Sequence, residues 1–251
     1  MQTLLSPFVG SSYPFRAIAL LWKHPRLWPY LVWPIVVNIL VFAVLTFGLF
    51  FPGLQAIDHL FSQAQGWLLA LEQLLRILFF LLLFFLNSLL LITIGISLGA
   101  PWYGTLSRVI EEIVTQKVVT EIPTKFWPEL RRALGCAVGR LGIALIALVA
   151  ILPLNLVPVI GPVLATVGNF LVGALLVSLD FLDAALDRRL LTFTQKLDYL
   201  KRYPALCAGF GVVSLPLSSI PLLNFITIPI CVAAGTLLYC EVILPEDLQK
   251  Q

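Results

Sequence analysis

LGIALIALVAILPLNLVPVIGPVLATVGNFLVGALLVSL, residues 141–179, and YPALCAGFGVVSLPLSSIPLLNFITIPICVAAGTLLYC, residues 203–240, contain no Asp, Glu, Lys or Arg. Each is interrupted near its middle by helix breakers: Pro153, Asn155, Pro158, Gly161 and Pro162 in the first, Pro216, Pro221, Asn224 and Pro229 in the second. Proline removes a backbone donor and clashes with the preceding turn, so each stretch is expected to bend back on itself. The arms are short. At 1.5 Å per residue, 141–152 gives roughly 18 Å, 162–179 roughly 27 Å, 205–219 roughly 22 Å and 225–240 roughly 24 Å. Most of these fall short of a hydrocarbon core about 30 Å thick. Two re-entrant helical hairpins, over about 141–179 and 203–240, follow from those lengths. Irregular backbone at that depth survives only where protein covers it or where it lines a wet cavity, which places the hairpin tips in the interior.

Upstream lie two more uncharged stretches, 27–57 and 77–107, without such a central break. Each predicts one spanning helix, over about 31–52 and 77–100. Composition agrees: 60% of the 251 residues are hydrophobic, 12% are charged and mean hydropathy is +1.00. A soluble domain carries about a quarter charged residues. The expected fold is therefore an all-α integral membrane protein with two long transmembrane helices, two re-entrant hairpins and interfacial amphipathic helices, forming one domain over residues 1–251. Residues 1–15 carry no charged side chain, so the basic start of a secretory signal is not expected. The helix around Tyr13–His24 suits the interface, with Tyr13, Trp22, Trp28 and Trp33 at headgroup level.

Charge sets the orientation. With both termini on one side, fifteen of the sixteen Lys and Arg residues fall on that side, and only Arg76 joins Asp58 and Glu72 in the opposite loop. Loops rich in Lys and Arg are cytoplasmic, so both termini are expected there. The two hairpins also look like copies. Pro158-Val159-Ile160-Gly161 parallels Pro221-Leu222-Leu223-Asn224, and each leads into a helix rich in small residues. Duplicated broken helices point to a transport site; a simple membrane anchor is the plainer alternative.

Catalytic motifs are weak. Gly95-Ile96-Ser97-Leu98-Gly99 has the spacing of a nucleophile elbow, but it lies in a spanning helix, and His24 and His59 are the chain's two histidines, near opposite faces. Gly95 with Gly99, and Gly135 with Gly139, read better as faces for close helix packing. Cys136, Cys207, Cys231 and Cys240 lack metal-ligand or redox spacing and read as buried apolar residues. No enzyme activity, cofactor, metal site or nucleic-acid partner is expected.

Several charges are candidates for a solute pathway, with solvated interfacial helices as the alternative. Arg108 and Glu112 form an i,i+4 pair, Arg131 stands beside Arg132, and Asp180, Asp183, Asp187, Arg188 and Arg189 cluster after the first hairpin. Arg26, between Pro25 and Pro29 at the start of the first span, stands where unpaired amide N–H groups favour an anion. An ordinary interfacial anchor is the alternative for it.

Ile220-Pro221-Leu222-Leu223-Asn224-Phe225, Ile228-Pro229 and Ala233-Ala234-Gly235-Thr236 carry a family resemblance. It continues in Leu182-Asp183, in Pro101-Trp102-Tyr103 with Leu106-Ser107-Arg108 and Glu111-Glu112, and in Pro34 with Asn38. Together these patches resemble the CysZ family of bacterial sulfate permeases and the related etoposide-induced membrane proteins. The resemblance implies two long spans with two half-buried hairpins, and uptake of sulfate or a similar oxyanion for sulfur assimilation and cysteine synthesis. It also implies a sulfate site at a Gly-Leu-Arg-Arg run just before the first span. Here Arg26-Leu27-Trp28-Pro29 stands in that place: Leu27 is kept and both arginines are replaced. The expected site is then Arg26 with Leu27 for the anion, the tips at Asn155, Gly161 and Asn224 lining the path, and Arg108 with Glu112 gating it. Expected partners are the lipid bilayer, the anion and further copies of the chain. A non-transporting scaffold or lipid-organising protein is the rival reading.

Overall fold

Prolines and caps divide the chain into helices. A computed structural model of the 251-residue chain describes residues 6–62, 65–119, 126–157, 160–220 and 223–248, and the side chains of these except 87–101, 126, 129, 247 and 248. Helix α1 spans Pro7–Lys23; the Ser6 hydroxyl accepts from the Val9 amide, and Pro7 occupies the first turn, where its missing N–H costs nothing. His24 is held out of helical geometry ahead of Pro25. A 3-10 turn, Pro25–Leu27, then leads into α2, Trp28–Leu60. Helix α3, Trp67–Thr115, follows Gly66 at φ 62°. Next come α4, Phe126–Ile151, a 3-10 segment Leu152–Leu156, and α5, Ile160–Asp187. Helices α6, Phe193–Arg202, α7, Pro204–Ser219, and α8, Asn224–Leu238, follow. A π-helical turn, Tyr239–Ile243, and α9, Leu244–Leu248, end the described residues.

Helix ends fall within both proline-rich stretches, but not every proline ends its helix. Pro153 and Asn155 lie in the 3-10 break, whereas Gly161 and Pro162 sit in the first turn of α5, where proline is tolerated. Pro158 and Pro221 fall outside the described residues. Pro216 and Pro229 lie inside α7 and α8. Nearby hydroxyls bond neighbouring carbonyls: Ser219 donates to Leu215 O at 2.7 Å and Thr227 to Leu217 O at 3.0 Å. Helices α4 and α5 also reach beyond the uncharged stretch, continuing through Arg131, Arg132 and Arg140 at one end and Asp180–Asp187 at the other.

Among the described residues, five segments are long and apolar enough to cross a membrane: Pro25–Leu60, Trp67–Leu86, Leu130–Leu156, Ile160–Asp187 and Asn224–Glu246. Helix α7, at 16 residues, is shorter. Their surroundings differ sharply. The last segment is 83% buried, while none of the most apolar part of Leu130–Leu156 is buried. An apolar helix with no cover on the outside has lipid for its solvent. This is a multi-pass membrane protein with α8 as its central post.

Around α8 pack α1, α5, α7 and the later part of α3. Backbones approach closely at glycine: a side chain on Gly10 would strike Leu206 O, and one on Gly209 would strike Pro7 O, so α1 and α7 cross with nothing between them. The opposite face of α1 carries Phe8, Phe15 and Trp22, seven residues apart and exposed. Trp22, Trp28 and Trp33 are exposed as expected of interfacial residues, but Tyr13 is not. It is buried, and its hydroxyl donates to Glu241 at 3.1 Å. Apart from this core, α2 and α3 lie against each other through Phe42–Phe84 and Phe50–Phe80 ring contacts at 6.3 and 6.0 Å. Arg76 closes their far end by pairing with Asp58 at 2.6 Å and Glu72 at 2.5 Å.

The pair Gly135 and Gly139 does not form one packing face. Gly139 meets the Phe193 ring, while a side chain on Gly135 would meet no atom within 4 Å. Gly135→Ala should therefore stabilise the protein by about 1 kcal/mol through helix propensity. Gly139→Ala should cost about 1–3 kcal/mol through overpacking, less that same gain. Thermal unfolding in detergent should place the two variants on opposite sides of the wild type. The side chains at Gly95 and Gly99 fall outside those described.

Candidate functional site

The last two turns of α5 carry Asp180, Asp183 and Asp187 at i, i+3 and i+7, which brings all three to one face. Arg140 of α4 meets Asp180 at 3.0 Å and also pairs with Asp183. Lys196 of α6, with no exposed side-chain surface, pairs with Asp183 and lies 2.5 Å from Asp187. Arg132 donates to the Asp187 carbonyl at 2.8 Å and approaches its carboxylate at 3.8 Å. Three acids thus face three bases, and the group balances. Lys196 is positioned by an N-terminal capping box on α6, where Thr192 and Gln195 bond reciprocally. Burial alone would lower the Lys196 pKa, but Asp183 and Asp187 outweigh it and hold the ammonium above its ordinary 10.5.

Directly beyond, Arg188 and Arg189 turn to the other side and converge on one carboxylate, Glu111 of α3. Arg189 Nη2 lies 2.6 Å from Oε1, and Arg188 pairs with Oε2. Arg188 also donates to Ala184 O at 3.3 Å and Arg189 to Ala185 O at 3.1 Å, so the α5 C-terminus holds both guanidinium groups. The Arg189 guanidinium stacks 4.4 Å over the Tyr239 ring, which packs in the core. The Glu111 side chain is only 5% exposed. Two cations on one buried carboxylate leave a net positive charge at the edge of the core, beside the buried Thr236–Ser107 hydroxyl pair at 2.7 Å.

The residues singled out from sequence are spread over several places. Arg26 is exposed on the 3-10 turn that packs against α1 and α3. Leu27 is fully buried in the core, and its amide donates to His24 O at 3.0 Å. Arg108 and Glu112 are half-buried on α3, one turn before Glu111 and immediately after it. Asn155 is exposed in the 3-10 segment after α4, where it donates to Leu152 O at 3.3 Å, and Gly161 is buried against Leu154 O. Asn224 is buried at the start of α8. Its side-chain oxygen, like that of buried Asn38 in α2, has no hydrogen-bond partner among the described residues. Buried polar atoms of that kind are rare and mark polar positions inside an apolar body.

With this arrangement in view, the comparisons with known proteins are direct. A family described as sulfate transporter CysZ/etoposide-induced protein 2.4 matches residues 13–229. The chain belongs to that family. Among similar proteins, the sulfate transporter CysZ of Pseudomonas aeruginosa is 27% identical over 234 residues, covering 92% of this chain and 94% of its own. That of Vibrio parahaemolyticus is 25% identical over 231 residues, covering 86% and 87%, and that of Pectobacterium atrosepticum 24% over 218, covering 86% and 79%. These relatives are named as transporters rather than enzymes.

Sequence reading missed Lys196 and Arg140 altogether and placed Glu111 only within a CysZ-like patch. Spacing gave the aspartates and the arginine pair, because they lie within ten consecutive residues, at the end of one helix and just beyond it. Their partners stand 77 residues away at Glu111 and 43 residues away at Arg140, distances that no local periodicity reports.

Proposed function

We propose that this protein carries sulfate or a related oxyanion across the bacterial inner membrane, supplying sulfur assimilation and cysteine synthesis. The observation that carries the reading is the surplus positive charge of Arg188 and Arg189 on Glu111, set against the buried helix α8. An anion leaving water for a low-dielectric interior loses hydration, and fixed cations with partial neutralisation replace it. Arg26 with Leu27 forms the entrance on the cytoplasmic face, Arg108 and Glu112 gate beside the charged cluster, and Asn155, Gly161 and Asn224 line the way at the bends. In this reading α2 and α3 are the two full spans, α4–α5 and α7–α8 dip in and return, and both termini are cytoplasmic. Residues 1–251 act as one domain that assembles with copies of itself through its uncovered apolar faces.

Purified protein in liposomes should accumulate radiolabelled sulfate, and Arg26→Ala should weaken its apparent affinity about fivefold, the value of one interfacial cation. No uptake under any imposed pH gradient would overturn the proposal. The second reading, a scaffold or lipid-organising protein of the etoposide-induced type, draws on Trp28 and Pro29, which stand where the family run has arginines. A thermal shift produced by sulfate but not by chloride would exclude it.

A further inference from the structure

A cavity borders the charged cluster and shares Arg132 with it. The first turns of α4 and α6 enclose this cavity of about 820 Å³, lined by Trp127, Arg131, Arg132, Gly135, Thr192 and Thr194 among others. We infer that this cavity holds the headgroup of an anionic phospholipid, with the phosphate on Arg131. The inference rests on the cytoplasmic placement proposed above for this end of the helices.

The two arginines of the wall differ. Arg132 is turned inward and committed to Asp187, at 2.8 Å from its carbonyl. Arg131 is exposed, and no hydrogen bond or ion pair engages it among the described residues. Charge complementarity therefore favours an anion. Thr194 adds an exposed hydroxyl, while that of Thr192 is committed to Gln195, and the first turn of α6 points the positive end of its dipole toward the same space. Open volume beside Gly135, where an added side chain would meet nothing, leaves room for the glycerol portion.

A free phosphate ion would need no apolar runway, yet one is present. Trp127, Leu130, Leu134, Val138, Leu141 and Leu145 are all exposed and recur at three- and four-residue spacing along one side of α4. That stripe leads from the cavity into the apolar length of the helix, which has no protein cover. Acyl chains fit along it, while Trp127, 75% exposed, sits at the level where indoles meet headgroups. Basic pockets between helices on the cytoplasmic side are the recurring form of anionic-lipid site.

The test uses full-length protein in neutral detergent with added dioleoyl phosphatidylglycerol or dioleoyl phosphatidylcholine. Bound lipid is counted by native mass spectrometry and stability followed by thermal unfolding. Phosphatidylglycerol should be retained about fivefold better than phosphatidylcholine, the preference expected of one interfacial cation. Arg131→Gln should abolish the preference, and Gly135→Leu, which fills the cavity, should lower retention of both lipids. Equal retention of the two lipids, or an undiminished preference in Arg131→Gln, overturns the inference even if Gly135→Leu cannot be purified. So does complete displacement of phosphatidylglycerol by millimolar inorganic phosphate, which would identify a site for the free ion. None of these readouts uses sulfate, so loss of the transport reading and loss of the lipid site are separately visible.

Discussion

Lys196→Met should lower the melting temperature in detergent by about 10 °C or more, the largest loss expected from any single charge here. The side chain has no exposed surface and sits between Asp183 and Asp187. Breaking a buried pair by deleting one partner costs about 3–5 kcal/mol, because the other partner stays behind unpaired. For a chain of this length, 1 kcal/mol moves the melting temperature by about 2–4 °C. The sign with pH is clear. The folded-state pKa of Lys196 is raised, so its contribution is complete below the ordinary value of 10.5 and lost only as pH rises through the raised one. A measurement near neutrality therefore reads it in full. Lys196→Met combined with Asp183→Asn should lose less than the two changes separately, since each removes the other's reason to be costly. Additive losses would mean that the lysine is held by packing alone.

Glu111→Gln should produce the second largest loss, and a more informative one. Its carboxylate is the shared partner of Arg188 and Arg189. Glutamine keeps the shape and removes the charge, leaving two guanidinium groups facing a neutral amide at an expected cost of about 3 kcal/mol. A dianion of suitable size can then bind against the two guanidinium groups and neutralise them. Sulfate at a hundred times its dissociation constant would restore about 2.7 kcal/mol, enough to raise the melting temperature by several degrees. Potassium chloride at matched ionic strength should restore nothing comparable. Equal recovery in the two salts would remove the oxyanion preference from this cluster and, with it, the main support for the transport proposal.

How far the sequence foretold this arrangement depended on distance along the chain. The helix break at Pro153 and Asn155 was legible because a 3-10 segment sits where two breakers are two residues apart in an apolar run. Pro216 and Pro229 misled because a lone proline inside a well-packed apolar helix bends it without ending it. Trp22, Trp28 and Trp33 followed the expected exposure; Tyr13 did not, because its hydroxyl partner Glu241 lies 228 residues away and nothing nearby in sequence announces it. Gly135 and Gly139 have identical local patterns, yet only Gly139 has a neighbour, the Phe193 ring, supplied by α6. The aspartate row was readable from one helix, whereas the bases that neutralise it come from two others.

The π-helical turn at Tyr239–Ile243 has consequences for every residue downstream of it. A π turn takes in one residue more than an α turn, so the angular phase of the succeeding helix is offset by about 100°. At its first residue Tyr239 supports Arg189; within it Glu241 reaches Arg16 at 2.7 Å; after it Glu246 meets the Tyr203 hydroxyl at 2.5 Å. One strand of chain thereby clasps the first helix and the α6–α7 junction at once. Excising a single residue there would turn the final segment like a dial, swinging Glu246 off Tyr203 while Tyr239 stayed in place, so the register of the tail is written into a single surplus amide.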